Sequence, residues 1–199
     1  MDKVIEQEFH GIGKIIESLD MEEGLPEEIL KISEQEILDL KIPFKINILP
    51  SGEFKTVLIK VSDSVKQVMH IIAKEFDQKI LPPEPEQPLD QLFYYDRHNH
   101  LMGPASDLTT PIWKVITQHH ARLKLSLKLS LTIQVNANWK IAPKEEMTPR
   151  EIMQLFELDS SQYSLYHLHG TDPLPVDTAI KLHRGERLVA IKDGKYGGR

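Results

Sequence analysis

From Pro43 to Val61 the chain alternates apolar and polar residues with a period of two. Phe44, Ile46 and Ile48 are spaced by Lys45 and Asn47, and Val57, Ile59 and Val61 alternate with Thr56, Lys60 and Ser62, with Leu58 as the exception. Pro50-Ser51-Gly52-Glu53 between the two runs predicts a turn, so the segment reads as a β-hairpin. The period then changes. Val65, Val68, Met69, Ile72 and Phe76 share one helical face, and Ser64 with Gln67 three residues on forms a capping pair. Leu81 to Pro88 holds four prolines and predicts a stiff loop where no helix continues. Leu92-Phe93-Tyr94-Tyr95 reads as a strand, Leu101-Met102 as a short one, and Leu108 to Val115 as a compact irregular turn.

The most regular stretch follows. Leu123, Leu125, Leu127, Leu129, Leu131, Ile133 and Val135 are apolar, and every residue between them is polar. Strands average about 5–6 residues, so this run predicts two strands laid end to end, changing over near Ser130. The order then repeats in shorter form. A strand over 131–136 meets a turn at Asn136-Ala137-Asn138, and a second strand spans Trp139 to Pro143. Thr148-Pro149-Arg150-Glu151 opens a helix, with Thr as the cap and Pro at the first helical position. Tyr163 to His169 reads as a strand, Val176 to Leu182 as a short element, and Arg187 to Ile191 as the final strand.

Composition sharpens this picture. Among 199 residues, 40% are hydrophobic, enough for a packed core. No apolar run approaches the ~18 residues of a membrane span, and Met1 to Glu6 lacks the basic start of a signal peptide, so a cytoplasmic address is expected. No cysteine is present, which excludes disulfides, thiolate metal sites and cysteine nucleophiles. The net charge of −6 is unevenly spread: residues 1–40 carry 3 basic and 12 acidic side chains, 41–120 balance, and 121–199 sum to +3. Ile5, Phe9, Ile12, Ile16 and Leu19 line one stripe of a predicted helix in the acidic segment, and a second short helix starts near Ser33. No contiguous basic stripe with interleaved aromatics is visible, so nucleic acid is not an expected partner. His98-x-His100, His167-x-His169 and His119-His120 are the only hints of a metal site. A zinc site needs three or four ligands and a second shell, and no His-Glu-x-x-His motif or cysteine is present to assist them.

Strand–strand–helix–strand–strand, occurring twice, defines an α+β chain of two small mixed sheets. Order and spacing over 43–130 resemble the ubiquitin β-grasp, including the proline loop at Ile80-Leu81-Pro82-Pro83 and the Leu/basic alternation from Ala121 to Leu129. Residues 131–199 resemble the β-grasp repeats of bacterial multi-ubiquitin proteins. The similarity lies in Val135-Asn136, Thr148 to Ile152, Tyr163 to Tyr166 and Lys181 to Arg187. The resemblance implies an acidic helical extension (1–42), two tandem ubiquitin-like β-grasp domains (43–130 and 131–192) and a flexible tail (193–199).

It also implies a function. Ubiquitin ends in two glycines, and Gly197-Gly198 follows the last predicted strand here. By resemblance the chain is a ubiquitin-like protein modifier of a bacterial ubiquitination-like operon, a family context tied to antiviral defence. Its partners would be an activating-type enzyme, a conjugating-type enzyme and a JAB/JAMM-type deubiquitinase-like protease. Gly198 would form the isopeptide bond. Tyr196, Gly197, Gly198 and Arg199 would make the processing tail, with Arg199 removed before activation. The chain itself would be no enzyme and would need no catalytic residue, metal or cofactor. Six residues from Asp193 to Gly198 reach about 20 Å when extended, a suitable depth for an enzyme channel. Tyr166 and Leu168 alternate with Leu165 and His167, and either pair can face outward; an outward Tyr166/Leu168 pair is the candidate partner surface. The alternative is a non-conjugated β-grasp adaptor. A sulfur carrier shares fold and diglycine, but the tandem body and Arg199 argue against it.

Overall fold

The computed structural model describes residues 39–50 and 52–194. The stripe from Ile5 to Leu19, the helix predicted near Ser33 and the tail residues Tyr196 to Arg199 lie outside the described residues. The chain is α+β with mixed sheets and, among the described residues, three short helices. It forms two units: 39–80 with 90–129, and 81–89 with 130–194.

The first unit is built on a five-stranded sheet of β1 (Lys41–Leu49), β2 (Lys55–Lys60), β3 (Gln91–Asp96), β4 (Leu101–Met102) and β5 (Ala121–Lys128), in the order β2-β1-β5-β3-β4. β1 and β2 are the antiparallel hairpin that the period-two pattern predicts, and Gly52 supplies the left-handed turn residue (φ 76°). β5 lies parallel to β1 and antiparallel to β3. Helix α1 (Val65–Glu75) is capped as its sequence predicts, with Ser64 and Gln67 bonding reciprocally. Its Val65, Val68, Met69 and Ile72 pack with Phe44, Ile46, Ile59, Leu92, Leu125 and Leu127 in one core. Leu58, the break in the hairpin's alternation, points to the other face and is 60% exposed.

One prediction needs correcting. Leu108 to Val115 is not simply an irregular turn, because Ile112–Gln118 forms helix α2. Its cap, Pro111, makes no side-chain bond, and seven residues give too little periodicity to read. Burial stabilises it instead: Ile112, Trp113, Val115 and Ile116 all join the core.

The turn before α2 is organised by Asp107. Its carboxylate accepts from the Thr109 amide (2.9 Å), the Thr109 hydroxyl (2.7 Å) and the Thr110 hydroxyl (2.8 Å). These bonds, the Thr109 hydroxyl foremost, hold its pKa down to about 2, against an ordinary 3.8. A carboxylate depressed on folding stabilises the folded state above its unfolded pKa and loses that contribution as pH falls through the folded value. Wild type should therefore exceed Asp107→Asn in stability above pH 3.8, and the gap should close as pH falls to about 2. Paired urea titrations across this window check it; a pH-independent gap would contradict it.

The second unit carries a four-stranded sheet of β6 (Thr132–Val135), β7 (Asn138–Ile141), β9 (Tyr163–His167) and β11 (Arg187–Lys192), in the order β7-β6-β11-β9. A two-stranded piece pairs β8 (Glu146–Met147) with β10 (Ile180–Lys181). β11 lies parallel to β6 and antiparallel to β9. The thirteen-residue alternation does divide near Ser130, because β5 ends at Lys128 and β6 begins at Thr132. Helix α3 (Pro149–Leu155) starts with the predicted Thr148/Glu151 capping box. Its Ile152 and Met153 pack with Ile133, Val135, Leu165 and Leu188. Asn136 turns the β6–β7 hairpin at φ 55°, and its Oδ1 accepts from the Ala190 amide of β11 (3.0 Å). The proline loop belongs to this unit, with the Ser130 hydroxyl donating to the Leu89 carbonyl (3.0 Å).

Candidate functional site

The diglycine follows β11 in sequence, so the anchoring of that strand is the nearest described structure to it. The last ladder pair is Lys192 with Tyr163. One residue on, the Asp193 amide donates to the Gln162 carbonyl (2.8 Å), and the Asp193 carboxylate accepts from the Ser164 hydroxyl (2.8 Å). The backbone is therefore tied to the sheet as far as Asp193, and Gly198 stands five residues beyond that anchor.

Register places the side chains of the second sheet. Leu165, Leu188, Ile133 and Val135 are buried against α3, so their neighbours in sequence face the opposite side. Val189 pairs with Tyr166 and Ile191 with Ser164 on that outer face. The Leu168 amide continues the ladder to the Arg187 carbonyl (3.0 Å). Tyr166 is half-buried and Leu168 is 39% exposed, so Tyr166 and Leu168 form the outward set. His167 lies toward the core side at the strand end, with Nδ1 3.1 Å from Glu186 Oε1. Sequence reasoning missed Ile191, 51% exposed on this face. It also missed Arg187, whose guanidinium lies 5.8 Å from the Trp139 ring centre, within cation–π range. The alternation from Arg187 to Lys192 already carried that signal.

A second surface gathers in the first unit. Ile42, Phe44 and Ile46 turn inward, which puts Lys41, Pro43 and Lys45 outside. Lys45 pairs with Lys124, Pro43 with Leu58, and Lys41 with Lys60. Lys128 occupies the same side of β5 as Lys124, and the Arg122 charge acts on Lys124 across an irregular stretch of the strand. The Lys124 ammonium lies 4.3 Å from the Phe54 ring centre and 4.4 Å from that of Tyr95, and donates to Asn99 Oδ1 (2.8 Å). Burial, then the nearby Arg122 and Lys45 charges, lower its pKa. Beneath it Tyr95, Ser126 and Asn47 form a polar chain across three strands. The basic residues come from two stretches far apart in sequence, so segment-by-segment charge sums hid them.

Within the first unit the His98 and His100 rings lie 6.1 Å apart. His100 Nδ1 is 3.1 Å from Asp96 Oδ2, and the His100 amide is the leading cause of the lowered Asp96 pKa. His119 stacks on Tyr94 at 4.7 Å. Among the described residues no group of three or more His, Cys, Asp or Glu side chains is placed to hold a metal ion. Among them, too, no helix is long and apolar enough to cross a membrane. No family model and no curated protein matches the sequence.

Proposed function

We propose that both units are ubiquitin-like β-grasp domains in tandem and that the chain is a protein modifier, joined through the Gly198 carbonyl to amines of target proteins. The observation that carries this reading is the place of β11. It runs between β6 and β9, parallel to β6, and Gly197-Gly198 follows it after four residues. The first unit's order, with its parallel β1–β5 pair flanked by antiparallel neighbours, supports the same fold.

On this reading a JAB/JAMM-type protease hydrolyses the Gly198–Arg199 amide. Water's hydroxyl goes to the Gly198 carbonyl, and the amine leaves with Arg199. An activating-type enzyme joins the freed carboxylate to the adenylyl group of ATP, releasing pyrophosphate. Its cysteine thiolate then displaces AMP to give a thioester. After transfer to a conjugating-type enzyme, a target amine attacks the carbonyl and the thiolate leaves. The modifier supplies no catalytic group. It supplies a carbonyl on a thin segment, with glycines to admit it and a body for the enzymes to grip. Tyr166 and Leu168, with Val189 and Ile191, form the surface assigned to that grip. A cytoplasmic role in a bacterial defence operon belongs to the same reading.

The test is intact mass after co-expression with a protease, an activating enzyme and a conjugating enzyme of these classes. The expected result is loss of everything after Gly198, followed by an adduct on another protein through Gly198. An unchanged mass, with each enzyme shown active on a control modifier, would leave a non-conjugated adaptor instead.

A further inference from the structure

We propose that the acidic segment of residues 1–38 docks on the outer face of the first unit's own sheet, covering its basic and aromatic side chains. That face carries Lys41, Lys45, Lys60, Lys124 and Lys128, while β1, β2 and β5 contain no acidic residue. Lys45 and Lys124 are register partners on adjacent strands, and like charges placed opposite each other destabilise a sheet. The partners of Lys124 are two rings and an amide oxygen, none of which cancels its charge. The fold therefore concentrates positive charge on a half-dehydrated surface; among the described residues Lys60 pairs with Asp39, while Lys45 and Lys124 face each other. Apolar area adjoins it at Pro43, Leu58 and Phe54.

Residues 1–38 fit both features. They hold eleven acidic and three basic side chains, a net charge of −8, together with the apolar set from Ile5 to Leu19. The segment also joins the body at the right place. Asp39 Oδ1 already accepts from Lys60 Nζ at 2.7 Å, and the Leu40 carbonyl accepts from the Val61 amide at 3.0 Å. The acidic chain thus meets the body at one end of the basic face. Strands lie about 4.8 Å apart, so the few strands of this face are within reach of the first ten residues or so. Tethering gives the segment an effective concentration in the millimolar range, which favours it over an external polyanion. Charge drives the contact, so salt should loosen it: the screening length falls from about 10 Å at 0.1 M to about 3 Å at 1 M.

Carbodiimide, which joins carboxylates to amines in contact, tests this on the full chain. Light and heavy isotope-labelled protein is mixed in equal amounts, treated at about 20 mM and about 500 mM NaCl, and mapped by peptide mass spectrometry. Links from Asp or Glu of residues 1–38 to Lys45, Lys124 or Lys128 are expected within single isotopes, and should fall about fivefold or more at high salt. Mixed-isotope links making up about half of the total, the share that random pairing of the two labels gives, would assign the face to a second copy, and absent links would leave it bare; either result overturns the proposal. A variant combining Glu22→Gln, Glu23→Gln, Glu27→Gln and Glu28→Gln leaves both sheets untouched. In it, amine acylation of Lys45 and Lys128 should quicken about threefold relative to Lys181 as the cover loosens; unchanged rates count against docking. Retardation of a single-stranded oligonucleotide by the wild-type chain at low salt would give the face to nucleic acid, which also overturns the proposal.

Discussion

Gly198→Val is expected to leave the melting temperature unchanged and to lower conjugation by at least about 100-fold, the scale of loss when a reacting atom is displaced by about 1 Å. The body should be indifferent because the β11 ladder ends at Lys192 and, among the described residues, the last anchoring bonds are those of Asp193. The chemistry should not be. On the proposed reading the carbonyl of residue 198 reaches a nucleophile deep inside an enzyme, and a β-branched side chain adds bulk and restricts the backbone where glycine adopts either sign of φ. Single-turnover thioester formation with the activating enzyme, on chain already cut after residue 198, isolates this step from processing. Lys195→Ala serves as control and should keep most of its rate. A valine variant that forms thioester as fast as wild type would remove Gly198 from its assigned role.

Ile152→Ala should cost about 2–5 kcal/mol, the range for removing a large aliphatic side chain from a core. Ile152 is fully buried on α3. Its cluster contains ten buried residues, against twenty in the first unit. At roughly 0.05–0.15 kcal/mol per residue, a unit of this size holds about 4–11 kcal/mol of stability. The substitution should therefore remove a large part of it. Hydrogen exchange would show lost protection across residues 132–192 with protection kept across 41–128. Trp113 lies in one unit and Trp139 in the other, so fluorescence follows the two separately in single-tryptophan variants. Equal loss in both units, or none in the second, would contradict the expectation. Ile152→Val should cost only about 0.5–1.5 kcal/mol.

What could be read from sequence was local. The β1–β2 hairpin follows from period-two alternation and a glycine turn, and α1 and α3 follow from capping pairs directly before apolar helical faces. The changeover near Ser130 follows from strand length alone. Helix α2 escaped because its evidence is tertiary: four buried side chains in a short piece without a side-chain cap. β8 escaped similarly, since two residues become a strand only by pairing with β10 across some thirty positions. The basic face could not be read at all without the parallel β1–β5 pairing, which sets Lys45 beside Lys124. The assigned conjugation tail shows the opposite pattern. It rests on sequence alone, a diglycine after a strand, because Tyr196 to Arg199 lie outside the described residues.

The position of β11 has a consequence for how the protein is made. Synthesis proceeds from the N-terminus, and domains fold largely as they emerge. Yet β11, at the centre of its sheet, is the last of its strands to be translated. Until Arg187–Lys192 are available, β6 and β9 each lack a neighbour and present unpaired edges that invite aggregation. A nascent chain halted before Arg187 therefore holds an open second unit and no diglycine. A chain that has reached Gly198 has already received the strand that closes its fold. Translation order thus makes the segment assigned to attachment available only on molecules that have what they need to fold.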